Sequence, residues 1–232
     1  MLNWLGKSTP FPSPDKAMTR PNGLLAAGAD LSPERLIDAY SQGIFPWYGE
    51  GDPILWWSPD PRLVLFPEEL RISRSLKKSL RRRDYEIRAD TAFESVMRKC
   101  AEPRKGENGT WISEQMIEAY CRLHEMGLAH SIENRVDGEL VGGLYGIALG
   151  KVFFGESMFS RKTDASKIAF AHLVLQLGRR GFGMIDCQVK TQHLVSLGAR
   201  EISRAEFSLN LKSWTDGPGV TGKWHFDDDL LE

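Results

Sequence analysis

Residues 129–159, AHSIENRVDGELVGGLYGIALGKVFFGESMF, decide the fold. Three apolar runs, AHSIENRV, ELVGGLYGIAL and KVFFGESMF, are separated by Asp137-Gly138 and by Gly150. Asp-Gly between apolar runs is a strong hairpin signal, so the segment predicts three consecutive antiparallel strands. Downstream, apolar residues at helical spacing predict a helix over about 165–180, stopped at Gly181. A strand around MIDCQV, a short helix from about Gln192 and a last strand, REI, follow. SRAE reads as a capping box opening a helix that carries Phe207, Leu211 and Trp214. This order gives an α+β domain with one mixed sheet.

Upstream, LVLF at 63–66 predicts a strand and ISRSLKKSLRR a helix. TAFESVMRKC predicts a second helix, and Ser113 caps a third that carries Met116, Tyr120 and Leu123. EPRKGENGT reads as a polar loop before Trp111, and FDDDLLE as an acidic, frayed tail. Residues 1–60 are rich in proline, glycine and tryptophan and show one helix, capped by Ser32 with Pro33 in its first turn. A domain boundary is expected near residue 62, dividing a small N-terminal domain, 1–62, from a larger one, 63–232.

The chain has 232 residues, 26% of them charged, and a formal net charge of -1, so a polyanion partner would need a local basic patch. Three cysteines argue against a disulfide framework, and no stretch approaches the roughly 20 apolar residues of a membrane span. A cytoplasmic protein is expected. Cys121, His124 and His130 do not make a four-ligand set, so no metal is expected.

The local patch exists. On a helix, Arg74, Lys77, Lys78, Arg81 and Arg82 form one positive face opposite Leu76 and Leu80. Such a face is either solvated or a clamp for a nucleic-acid backbone. The entrance to the long helix, SRKTDASK, lacks the glycines that let a backbone approach a pyrophosphate, which argues against coenzyme A. Trp47, Trp56, Trp57 and Trp111 are large loop aromatics whose usual fate is plain core, but Trp47 and Trp111 sit in proline- and glycine-bounded segments that suit a pocket lining. Phe153 and Met158 have opposite strand parity and can share a face only if the strand bends, with Gly155 as the candidate position.

Asp186 and Gln188 stand two apart on a strand suited to a core, so both side chains are expected on one face. Glu156 is a third polar group, on the strand expected next door. Cys187 is expected to point away from them as a buried thiol.

PNGLLAAGADLS, GIFPWY, DPILWWSPDPR, GTWI, LVGGLYG through GESMFSR to ASK, IDCQV and HLVSLGA together resemble the leucyl/phenylalanyl-tRNA–protein transferase family over about residues 10–204. The resemblance implies a small N-terminal domain on a GNAT-like (N-acetyltransferase-like) domain. The implied activity moves leucine or phenylalanine, and less well methionine, from aminoacyl-tRNA to proteins beginning with arginine or lysine. Its product is marked for N-end rule degradation. The donor ester is already activated, so no cofactor is expected, and a monomer is expected. The basic helix becomes a tRNA clamp, and Trp47, Trp111, Phe153 and Met158 line the pocket for the aminoacyl side chain and terminal adenosine. Glu156 receives the acceptor's N-terminal residue or its amine. The family's proposal has Asp186 polarise Gln188, which draws the proton from the attacking amine. A neutral amide is a very weak base, so Gln188 is read here as orienting the amine, with Asp186, a water or a ribose hydroxyl taking the proton. Leu173 and Leu177 stand where the family is expected to carry aromatic residues. The rival readings are a CoA-dependent acetyltransferase and a non-catalytic RNA-binding module.

Overall fold

The computed structural model describes residues 2–82, 84–103, 110–227 and 229–230. Most of the expected polar loop at 102–110, and residues 228, 231 and 232 of the expected frayed tail, lie outside the described residues. The central feature is a seven-stranded sheet in the order β11-β5-β10-β9-β8-β7-β6. Its strands are β5 (Arg62–Leu65), β6 (Glu86–Ala89), β7 (Ala129–Val136), β8 (Glu139–Leu149), β9 (Val152–Ser160), β10 (Met184–Gln188) and β11 (Arg200–Ile202). The hairpin reading holds: β7, β8 and β9 form an antiparallel meander. β10 then pairs with β9 in parallel and with β5 antiparallel, which makes the sheet mixed. The α5 helix (Ala165–Arg179) makes the crossover that parallel pairing requires.

Both faces of the sheet are covered. The α1 (Pro33–Ser41), α3 (Phe93–Cys100), α4 (Glu114–Glu125) and α7 (Arg204–Thr215) helices contribute Tyr40, Phe93, Tyr120 and Phe207 to one core, against Val64, Tyr145, Phe154 and Met184. On the other face α2 (Arg74–Arg82) and α5 pack Leu76, Leu80, Phe170 and Leu173 against Leu63, Phe153 and Ile185. Alternate residues of β5, β9 and β10 serve alternate cores, as the pleat requires. The arrangement is α+β with one mixed central sheet, as expected.

The caps read from the sequence form. The hydroxyls of Ser32, Ser113 and Ser203 each accept a hydrogen bond from a backbone N–H in the first turn of their helix. The N-terminal segment holds more structure than its one expected helix. It contains a four-stranded sheet ordered β1-β2-β4-β3, built from Asn3–Leu5, Leu24–Gly28, Leu55–Trp57 and Phe45–Pro46. These strands of two to five residues are too short to carry a period. Trp56 is fully buried in the shared core, and its indole N–H donates to the Gly28 carbonyl at 2.9 Å.

Candidate active site

β9 and β10 part company at one point. Their parallel pairing runs Met184↔Val152, Ile185↔Phe153 and Asp186↔Phe154, and the ladder ends there. Past that point each strand is irregular. On β9 the pairing with β8 jumps from Gly146↔Gly155 to Tyr145↔Ser157, leaving Glu156 as the extra residue of a β-bulge. On β10 the register against β5 shifts between Asp186 and Gln188, and Gln188 takes a left-handed backbone with φ 61°. Between the diverging ends lies a cavity of about 560 Å³.

The bulge resolves the parity conflict between Phe153 and Met158. One extra residue restores the alternation, so both line the cavity with Leu144, Phe170, Ile185 and Cys187. The bend expected near Gly155 is therefore the bulge at its neighbour, Glu156. Gly146 makes it possible: a Cβ there would stand 2.2 Å from the Phe154 carbonyl oxygen. Trp47, 43% exposed, and half-buried Trp111 form an aromatic rim with Phe45. Trp57 braces Trp47, donating its indole N–H to the Trp47 carbonyl at 2.6 Å. Ser160, Ser166, Thr191 and His193 make the polar edge on the α5 side.

At the floor of the seam the Gln188 amide donates to Glu156 Oε1 at 2.7 Å. The Tyr40 hydroxyl donates to the same oxygen at 2.7 Å, and the Tyr120 hydroxyl to Oε2 at 3.1 Å. The two hydroxyls are themselves 2.5 Å apart. Burial pushes the Glu156 carboxyl up from 4.5 to about 7; the tyrosine and glutamine donors oppose that, and the Asp186 charge adds to it. Burial also raises the phenols of Tyr40 and Tyr120 well above their usual range, so they donate rather than ionise. The Cys187 thiol is pushed up by burial and then by Asp186, which leaves it unreactive at neutral pH.

Asp186 and Gln188 lie near each other as expected, but their contact differs from the expected one. The Asp186 side chain is 0% exposed and does not line the cavity. Its Oδ1 accepts from Arg62 Nε at 2.8 Å and from the Gln188 backbone N–H at 2.9 Å, and its Oδ2 accepts from an Arg62 guanidinium nitrogen at 2.6 Å. The carboxylate therefore touches the backbone of Gln188, while the Gln188 amide reaches across the seam to Glu156. Arg62, Tyr40 and Tyr120 escaped the sequence reading as functional candidates. The tyrosines sit on helix stripes that look like ordinary core, and Arg62 shows only as an arginine opening an apolar strand.

The five cationic residues of α2 are all exposed, and Leu76 and Leu80 anchor the opposite face. Arg82 pairs with Asp84 at 2.6 Å; Arg74, Lys77, Lys78 and Arg81 make no salt bridge among the described residues. The helix lies beside the cavity mouth, because Ser79 donates to Asp164, the residue capping α5, at 3.0 Å. Asp164, also 3.3 Å from Lys167, places the chain's own carboxylate at the α5 N-terminus. Leu173 and Leu177 are buried in the core beneath the cavity, and Phe170 is the aromatic residue that α5 presents to it. The histidines considered for metal have other partners: His124 Nδ1 lies 2.8 Å from the Ala129 carbonyl, and His130 Nδ1 2.8 Å from Asp90.

The chain matches a family model described as leucyl/phenylalanyl-tRNA protein transferase over residues 64–212, and the N-terminal domain model of the same family over residues 29–60. A leucyl/phenylalanyl-tRNA–protein transferase from Nitrosospira multiformis is 64% identical over 232 residues, covering 100% of both chains. One from Nitrosomonas europaea is 62% identical, covering 98% of this chain and 96% of that protein. Among solved structures, a GCN5-related N-acetyltransferase from Kribbella flavida aligns at 12% identity and a TM-score of 0.39, covering 74% of this chain and 61% of that one. L-PGS from Bacillus licheniformis aligns at 13% identity and a TM-score of 0.40, covering 83% and 64%. On the extent and identity of the sequence matches, the chain belongs to the leucyl/phenylalanyl-tRNA–protein transferase family, whose enzymes move an aminoacyl group from tRNA to protein.

Proposed function

We propose that the enzyme transfers leucine or phenylalanine, and less readily methionine, from tRNA to proteins that begin with arginine or lysine, marking them for N-end rule degradation. The observation that carries this reading is the Glu156–Gln188 bridge across the splayed seam, set against an apolar cavity. The cavity takes the aminoacyl side chain between Phe153, Met158 and Phe170, with Trp47 and Trp111 for the terminal adenosine. The positive face of Arg74, Lys77, Lys78, Arg81 and Arg82 holds the tRNA backbone beside the mouth. A small N-terminal domain, residues 1–62, supplies Tyr40, Phe45 and Trp47 to a site otherwise built on residues 63–232. The small sheet ends at Trp57, and Arg62 already opens the seven-stranded sheet, so the break between the sheets lies between residues 57 and 62.

In the reaction the acceptor's α-amine attacks the ester carbonyl. A C–N bond forms, the C–O bond to the ribose breaks, and the amine gives up a proton. Gln188 orients the amine, and Glu156 lies within reach to hold it. An α-amine has a pKa of about 7.7–8.0, so part of it is neutral at pH 7. A carboxylate whose pKa is about 7 is well matched to receive that proton and pass it to the departing ribose oxygen, which leaves as the free hydroxyl of the tRNA. Asp186 supports Gln188 rather than taking the proton: its ion pair with Arg62 occupies both oxygens, and Oδ1 also accepts from the Gln188 backbone N–H. Alignment of amine and ester can lower the barrier by about 7–11 kcal/mol in favourable cases. The activated ester needs neither coenzyme A nor ATP, in keeping with the carboxylate at the α5 N-terminus.

Incubation with radiolabelled leucyl-tRNA tests the reading. Label should enter a peptide starting with arginine and stay out of the same peptide starting with alanine. Label in neither peptide, with acetyl-CoA acting as a donor instead, would sink it.

A further inference from the structure

We infer that Arg62 is a positioning residue for the transfer, fixing the bulge at the end of β10 and, through it, the direction of the Gln188 amide. The inference rests on the transferase reading above. Asp186 Oδ1 is shared: it accepts from Arg62 Nε at 2.8 Å and from the Gln188 backbone N–H at 2.9 Å. That N–H belongs to a non-glycine residue held at φ 61°, a conformation that persists only where surrounding contacts impose it. The register of β10 against β5 shifts at this residue, and Arg62 opens β5. Sequence-distant groups thus converge on one joint.

The guanidinium has little freedom to move. It is 1% exposed and lies between two rings, 4.7 Å from the centroid of Phe45 and 4.6 Å from that of Phe207. Phe45 also lines the cavity, so one planar group ties the aromatic wall to the strand end that carries Gln188. Lysine keeps the charge but has neither the two-pronged donor geometry nor the flat face that stacks on aromatic rings. A pair retained only for stability would be replaceable by apolar residues of similar volume without loss of activity. A positioning pair would not.

The test compares Arg62→Lys, Asp186→Asn and the apolar pair Arg62→Met with Asp186→Leu, using an aminoacylated adenosine as donor and an arginine-initiated peptide. Folding is followed by thermal melting. Each variant should lose about 100-fold in kcat, the scale of a roughly 1 Å misplacement. KM for the donor should stay within about threefold, since the apolar cavity is intact. The apolar pair should be no worse than either single change, because all three break one joint. A cooperatively melting apolar pair that keeps wild-type kcat would overturn the inference. If that variant does not fold, Arg62→Lys decides, and wild-type kcat in it has the same force. A loss for Asp186→Asn far larger than for Arg62→Lys would make Asp186 the proton acceptor and also overturn it. Wild-type protein that transfers nothing, by contrast, defeats the functional reading itself.

Discussion

Replacing Glu156 with glutamine removes a titrating group while keeping its shape. The wild-type carboxyl binds its proton more tightly in the folded protein, at about 7 against an ordinary 4.5. Between those values the folded state holds more protons than the unfolded state, so stability falls as pH rises. The stabilising difference is fully present below about 4.5 and is lost as pH passes 7. At about 1.36 kcal/mol per pH unit, the interval bounds the loss at roughly 3.4 kcal/mol. The carboxyl lines the cavity rather than the closed core, so about 2–3 kcal/mol is the better expectation. The Glu156→Gln variant lacks this slope. Urea denaturation at intervals from pH 4.5 to 8 should therefore show the variant gaining on the wild type by about 2–3 kcal/mol across the range. Its transfer rate should fall at every pH, because the amide cannot take a proton from the amine. Parallel stability curves for the two proteins would refute the assignment of a strongly raised carboxyl at this seam.

Gly146→Ala should lower stability by about 3 kcal/mol in a thermal melt, because the new Cβ meets the Phe154 carbonyl and the Phe153 ring and neither can yield. Reversing Arg74, Lys77 and Lys78 to glutamate should weaken tRNA binding and cut the log–log salt slope by about 3, one for each lost phosphate contact. The same variant should keep its fold, since Leu76 and Leu80 are untouched, and should transfer normally from aminoacylated adenosine. Phe170→Ala should cost about 3–5 kcal/mol of stability and raise KM for a leucyl donor more than kcat falls, measured by steady-state transfer.

Much of the fold is legible in the sequence because its long elements carry clean periods. The β7–β9 meander announces itself through Asp137-Gly138 and Gly150, and the serine caps at 32, 113 and 203 fix helix starts to the residue. β6 is missed for a physical reason. As an edge strand it buries only Ala89 well, so its sequence, EIRA, shows no apolar face. The site is half legible. Glu156, Asp186 and Gln188 stand out because acids and amides inside apolar strands are rare. The partners that set their chemistry are distant in sequence: Arg62 is 124 residues from Asp186, and Tyr40 is 116 from Glu156. The bulge at Glu156 depends on a register between two strands, which a single sequence does not reveal. Leu173 and Leu177, where the resemblance implies aromatic residues, lie buried in the core one layer below the cavity.

The central claim is that the seam between β9 and β10 receives the aminoacyl ester with Gln188 and Glu156 at the reacting atoms. Crystals grown with a non-hydrolysable phenylalanyl-adenosine amide address it directly. The account predicts the phenyl ring between Phe153, Met158 and Phe170, the adenosine against Trp47 or Trp111, and the carbonyl carbon within about 4 Å of the Gln188 amide, the range of a near-attack geometry with room for the amine. Density for the analogue elsewhere on the surface, with the seam empty, would contradict it.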